Sequence, residues 1–350
     1  MKETYTALYE FGGAFLGPSL TTYARAVEKA SQGQNTLPVC LAREGWLLYR
    51  LLDRLQAARL IDLPTPPVYL KVSRTLLFRA MLGDPDVMDM ALSTEFTGTV
   101  VDLLMKRFGF QLNETYKCLP AEILSFEMVL PDHKERVLKW FEPHYARLRS
   151  HVAQTRQALL DYFTNTGLAT EGVTPLMLDL GYGGTIQKLC TRLLEKDTRG
   201  LYYIAKKAGE HDVEGHQASM SGVFREGINW QENYTMLERS LLLECLMTAP
   251  HGQVVDLKEN ADGEMMFFYG REAASQRYYQ DLEAILDGAI DTAIYNLRHG
   301  IHYTHQEVEA LFEVYAKRPG ALPKAVWHLF TADDDISGNG IVNPLQIFGI

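Results

Sequence analysis

Residues 175–189 read PLMLDLGYGGTIQKL: an apolar run ending in one acid, three glycines within four positions, a threonine, then a helical pattern. This order predicts a strand, a tight loop and a helix. Gly181, Gly183 and Gly184 let the backbone approach a ligand without interference from Cβ. Amide groups at the start of the following helix then face an anion, and the helix dipole favours negative charge there. Asp179 falls at the carboxyl end of the strand, where open α/β sheets place ligand-contacting side chains. The spacing is neither G-x-x-x-x-G-K-[ST] nor G-x-G-x-x-G, so the Walker and dinucleotide fingerprints both fail.

Working outward, residues 37–42 form a second apolar run that stops at Arg43-Glu44-Gly45, with helical periodicity resuming over 46–58. Residues 68–72 predict another strand, ending at Ser73-Arg74, and residues 200–205 a fourth, after the helix over 186–194. This alternation predicts an α/β Rossmannoid with a mostly parallel sheet whose loops converge at one edge. Between 76 and 170 the patterns are mainly helical and read as a large insertion covering one side of the sheet. Residues 254–257 and 265–269 resemble a hairpin, and residues 271–330 turn helical again. We therefore expect an α/β domain over 1–270 and a helical extension over 271–350 packed on the same core. Near the start, Gly12, Gly13 and Gly17-Pro18 interrupt a helical pattern, and Pro18 suits a first helical turn. The tail from Asp333 reads as loop with a short terminal strand.

The chain has 350 residues, 47% of them hydrophobic and 22% charged, with no apolar run long enough to span a bilayer. Its opening lacks a basic start and an apolar signal core, so the expected location is the cytoplasm. Four widely spaced cysteines, Cys40, Cys118, Cys190 and Cys245, exclude C-x-x-C pairs and are expected to be reduced and buried. A formal net charge of −10 argues against broad nucleic-acid binding while leaving room for a local basic pocket. No H-E-x-x-H spacing or other metal signature and no G-x-S-x-G is present.

If the loops after the first three strands share one edge, two guanidinium groups, two carboxylates and a phosphate-cradling turn meet there. The arginine forks of Arg43 and Arg74 suit phosphate or pyrophosphate oxygens. Asp179 and Glu44 can bind hydroxyls or Mg²⁺, or accept a proton. Glu238 and Glu244, on one predicted helix, add two further acids, and Tyr182 either stacks on a sugar or covers the loop. Lys206 and Lys207 read first as solvated loop residues, with Lys206 held as a support for phosphate.

In this order the segments L-A-R-E-G-W-L-L, V-S-R-T-L-L and D-L-G-Y-G-G-T-I-Q resemble a type I phosphoribosyltransferase, and more specifically a module of bacterial polysaccharide biosynthesis. The resemblance implies that Arg43, Glu44, Gly45, Ser73 and Arg74 bind the pyrophosphate of 5-phosphoribosyl 1-pyrophosphate (PRPP). It likewise assigns the 5-phosphate to Gly181, Tyr182, Gly183, Gly184 and Thr185, and catalysis to Asp179 and Glu44. It implies Mg²⁺ carried with the pyrophosphate, with no dedicated metal ligands, and transfer of phosphoribose to a hydroxyl of a surface glycan such as O-antigen or capsule. Inversion would give a β-ribofuranoside. A haloacid-dehalogenase-type phosphatase would then remove the 5-phosphate, and with no D-x-D-x-T motif in this chain it is expected to be a separate protein acting beside other glycosyltransferases. A lipid-linked acceptor would bring the chain to the inner face of the cytoplasmic membrane. The sequence departs from nucleotide-synthesis enzymes, whose phosphate loop begins with two adjacent acids, because Leu180 follows Asp179. A nucleotide-sugar-dependent transferase and a non-catalytic sensor or scaffold of the same fold stay open as alternatives.

Overall fold

Residues 3–33, 35–318, 320–331 and 343–348 are described in a computed structural model. Two helices come first, α1 (Glu3–Phe15) and α2 (Gly17–Ser31). Gly12 and Gly13 lie inside α1 without breaking it, and Pro18 sits in the first turn of α2, where its missing N–H costs no hydrogen bond. β1 (Thr36–Leu41) leads into α3 (Gly45–Ala57), and β2 (Val68–Leu70) into α4 (Arg74–Ala80). β1 is buried along its whole length, as its unbroken apolar run requires.

The stretch that follows is mainly helical, with α5 (Pro85–Leu92), α6 (Val100–Phe108), α7 (Leu112–Cys118), α8 (Ala121–Leu124), α9 (Lys134–Phe141) and the long α10 (Tyr145–Asn165). It also contains an antiparallel pair the sequence does not announce, β3 (Phe96–Thr99) with β4 (Glu127–Leu130). The glycine-rich segment is β5 (Thr174–Tyr182), a turn, and α11 (Thr185–Leu194), followed by β6 (Thr198–Ala205). Two further strands were not expected: β7 (Gly209–Val213) and β8 (His216–Glu226), a hairpin turned by Glu214 and Gly215 at φ 52° and 85°.

The six-stranded sheet runs β2-β1-β5-β6-β8-β7, and every neighbouring pair is parallel except β7 with β8. The fold is thus α/β and Rossmann-like, as the alternation predicts. From β1 the chain steps to β2 on one side, then returns to β5 on the other. That reversal is a topological switch point, the crevice where open sheets bind ligands.

Alternate side chains of the central strands serve two cores. Leu37, Val39, Leu41 and Met177 face the layer that includes α4, α6, α10 and α11, while Cys40, Leu176, Leu178 and Leu180 face α1, α2 and α3. The remaining elements are α12 (Thr235–Glu238), α13 (Ser240–Met247), β9 (Val254–Glu259), β10 (Met265–Tyr269), α14 (Ala274–Arg277), α15 (Tyr279–Arg298), α16 (His305–Ala316), a 3-10 turn over Lys324–Phe330 and α17 (Pro344–Phe348). β9 and β10 pair as the expected hairpin. The expected terminal strand is instead the short helix α17: Pro344 cannot donate to a ladder, and it fits the first turn of a helix. Residues 332–342, with Asp333 and Asp334, lie outside the described residues.

α15 packs across α1 at two glycines. A Cβ on Gly12 would lie 1.9 Å from the Ile285 carbonyl oxygen, and one on Gly288 1.9 Å from that of Tyr9. Gly12, which reads as a helix interruption, is therefore a contact residue. The four cysteines are free and buried. No helix among the described residues is long and apolar enough to cross a membrane.

Candidate functional site

The loops after β1, β2 and β5 meet at the carboxyl edge of the sheet around one cavity of about 560 Å³. Its wall brings together Arg43, Glu44, Ser73, Arg74, Asp179, residues 181–185, Lys206, Glu238 and Glu244. Gly45 is the exception among the residues singled out from sequence. It does not line the cavity, and a Cβ there would sit 2.7 Å from the Cys40 carbonyl carbon, so this glycine lets α3 approach β1. Glu238 and Glu244 were expected on one helix. The chain breaks at Arg239 (φ −112°, ψ 21°), which puts them on α12 and α13, yet both reach the cavity.

Each loop is held by identifiable bonds. The Arg43 amide donates to Glu44 Oε2 (3.2 Å), and the Trp46 amide donates to the Arg43 carbonyl (3.1 Å). Trp46 Nε1 then donates to the Tyr279 hydroxyl (2.7 Å), pinning the first turn of α3 to α15. Ser73 caps α4: its Oγ accepts from the Leu76 amide (3.0 Å) and donates to the Val254 carbonyl (2.5 Å). With its hydroxyl committed to joining α4 and β9, Ser73 leaves Arg74 as the charged group this loop presents to the cavity.

In the glycine-rich turn, Gly181 (φ 146°) and Gly184 (φ 68°) hold conformations that side chains resist. A Cβ at Gly184 would also meet Met220 Cε at 2.2 Å, whereas one at Gly183 meets nothing within 4 Å. The peptide bonds Ala42–Arg43 and Gly181–Tyr182 are both cis, one in each loop flanking the switch point. Buried Gln187, in the first turn of α11, fixes the turn from behind. Its Nε2 donates to the Thr198 hydroxyl (3.0 Å) and the Ser219 carbonyl (3.0 Å), and its Oε1 accepts from the Tyr202 hydroxyl (2.6 Å). Gly200 makes room for it, since a Cβ there would lie 2.1 Å from Oε1.

The cavity sets buried acids beside cations. Burial, reinforced by Glu44 and Glu244, pushes the Asp179 carboxyl well above the usual carboxylate range, against the Leu180 amide and Arg74. Glu244 rises to about 7, first through burial and then through Glu44, with Arg43, Arg74 and the Tyr182 hydroxyl acting against the rise. Tyr182 Oη donates to Glu244 Oε1 (3.2 Å), so its hydroxyl serves the site and not only the loop. Lys206 and Lys188 are both lowered, by burial and then by Lys207, which marks a cluster of lysines beside the glycine turn. Lys206 and Lys207 line the cavity and are not simply solvated loop residues.

Sequence reasoning missed Trp230 and Gln253 on the wall, and read Lys207 first as a solvated loop residue. Trp230 is 45% exposed, packs edge-on to Tyr182 and lies beneath the Lys206 ammonium. It sits on the loop after β8, and the alternating burial of Ala218 and Met220 in that strand is the signal that could have located it. His251 accepts from the Tyr69 hydroxyl at Nε2 (2.9 Å) and donates from Nδ1 to the Gly252 carbonyl (2.9 Å), a structural role.

Among the described residues no group of three or more His, Cys, Asp and Glu side chains is placed to hold a metal ion. Asp179 and Glu44, each feeling the other's charge, suit Mg²⁺ only in the form where phosphate oxygens and water supply most ligands. Chemically the cavity offers anion donors from the glycine turn, the lysines and the two arginines, together with acids able to meet hydroxyls or positive charge. No protein-family model and no curated protein matches this chain.

Proposed function

We propose that this chain is a phosphoribosyltransferase that moves the 5-phosphoribosyl group of PRPP to a hydroxyl of a bacterial surface-glycan acceptor, with inversion to a β-linkage. The observation that supports this best is the convergence of two arginine loops, a glycine turn and four acids on one cavity at the switch point. In this reading residues 181–185 and the neighbouring lysines grip the 5-phosphate. Binding energy spent there positions the anomeric carbon without acting on it directly.

Arg43 and Arg74 meet the pyrophosphate, on which negative charge grows as its bond to the anomeric carbon breaks. The acceptor oxygen attacks from the opposite face, its proton passes to a carboxylate, and pyrophosphate leaves with the electron pair of the broken bond. Glu244, poised at about 7, is best matched to accept that proton near neutral pH. Glu44 then faces the positive charge developing on the ribose ring, and Asp179, whose proton burial helps to retain, is placed to meet the ribose hydroxyls. Mg²⁺ bound with pyrophosphate would neutralise part of the leaving group's charge. The 5-phosphate left on the product calls for a separate phosphatase, and a lipid-linked acceptor for contact with the inner membrane face.

Incubation with PRPP, Mg²⁺ and a panel of lipid-linked and soluble glycan acceptors should release pyrophosphate and add one phosphopentose to an acceptor, read by mass spectrometry. Arg43→Ala and Asp179→Asn should abolish release while leaving the melting transition in place. A protein that binds no PRPP, or that binds nucleotide sugars in its stead, overturns the reading.

A further inference from the structure

A second cavity of about 490 Å³ lies away from the first, and the two have no lining residue in common. One wall comes from α10, where Arg147, Ser150, His151 and Gln154 recur at helical spacing and so share a face. Glu114, Lys117 and Cys118 of α7 also line it, with Arg79, Thr155 and Lys258 completing the cleft.

Some of this charge is already answered. Arg79 is 1% exposed and is held by Glu114 (3.0 Å) and Asp256 (3.2 Å), and Lys258 lies 3.5 Å from Asp256. His151 Nε2 pairs with Glu114 Oε1 at 3.1 Å. Lys117 and Arg147 have no ion pair or side-chain hydrogen bond among the described residues. Burial raises the Cys118 thiol and Glu114 adds to the rise, while Arg147, Arg79 and Lys117 all act against it, so these cations gather around one point of the cleft. Two uncompensated cations converging on a concave, polar surface repel one another until an anion lies between them.

Ser150 and Gln154 add neutral hydrogen-bonding groups, the Thr155 hydroxyl is already committed to Asp256 and Arg79, and large apolar side chains are missing from the lining. The volume suits a small molecule and not a polymer. We propose that this cleft is a second anion site, for a free phosphate-bearing small molecule gripped by Lys117 and Arg147. The proposal does not depend on the activity assigned to the first cavity.

The test is calorimetric titration of the full chain with inorganic pyrophosphate. Lys117 and Arg147 are exposed, so Lys117→Gln with Arg147→Gln should fold normally and lose one class of pyrophosphate sites, with affinity there falling at least about tenfold. Arg43→Gln with Arg74→Gln should spare that class, which separates failure of this proposal from failure of the transferase reading. A charge-matched control, Lys29→Gln with Arg298→Gln, should leave the titration unchanged. An unaltered titration in the Lys117/Arg147 variant, or an equal loss in the control, overturns the second site.

Discussion

The Tyr182 hydroxyl donates to Glu244 Oε1 across 3.2 Å, tying the end of β5 to α13 inside the cavity. The bond favours the charged form of Glu244 against burial and the field of Glu44, which together hold the carboxyl near 7. If Glu244 takes the acceptor proton, kcat/KM for pyrophosphate release rises by about tenfold per pH unit below 7 and levels above it. Tyr182→Phe removes the donor and should move this limb to higher pH. Glu244→Gln should abolish the limb and lower the rate by about 10²–10⁴. A profile in Glu244→Gln with the limb unchanged would assign the proton to another group.

The same carboxyl makes a separate prediction about stability. Its folded pKa, about 7, lies above the ordinary 4.5, so the folded state holds the proton more tightly. The stabilisation from that proton is full below about 4.5 and is lost as pH rises through 7, amounting to roughly 3 kcal/mol. Glu244→Gln mimics the protonated form, so it should raise the melting temperature relative to wild type more at pH 8.5 than at pH 5. Equal differences at the two pH values would mean that Glu244 ionises freely in the folded protein. The expected gain is stability obtained by removing a group placed for chemistry.

Gly181 and Gly183 should answer to alanine in opposite ways. Gly181 sits at φ 146° with the Ile204 carbonyl oxygen 2.4 Å from where a Cβ would be, so Gly181→Ala should cost about 1–3 kcal/mol in a urea melt. An added methyl at Gly183 meets no protein atom within 4 Å, and its φ lies outside the left-handed range. Gly183→Ala should therefore leave stability nearly unchanged while weakening PRPP binding by roughly tenfold, because the methyl occupies the open space and holds the phosphate off the backbone donors. Normal PRPP affinity in Gly183→Ala would mean the open space above this residue is not where phosphate sits.

What could be read from the sequence follows burial. β1 is buried throughout, and β5 and β6 along most of their length, so their apolar runs stand out and fix the order of the three charged loops. β7, an edge strand with sequence GEHDV and no fully buried residue, carries no apolar pattern to find. β8 does alternate at Ala218 and Met220, but Gly222 interrupts it where the pairing with β6 shifts register. Missing that strand meant missing Trp230, carried on its loop. Gln187 was quoted within a motif, yet its role depends on Tyr202, Thr198 and Ser219, partners that only the assembled sheet brings together.

The helix crossing of α1 and α15 gives a prediction in which local and tertiary effects have opposite signs. Alanine is favoured over glycine in a helix interior by about 1 kcal/mol, so Gly12→Ala and Gly288→Ala would each stabilise an isolated helix. In the folded chain each new methyl would fall 1.9 Å from a backbone carbonyl oxygen of the facing helix, and backbone cannot swing aside as a flexible side chain can. The helices would have to separate, loosening the packing of Phe11 and Phe15 against Phe312 and Tyr315. Overpacking of this kind costs about 1–3 kcal/mol or more, which exceeds the propensity gain. Urea unfolding should show both variants less stable than wild type, and because the two sites share one interface their effects should not add. An increase in stability for either variant would place the two helices farther apart than described.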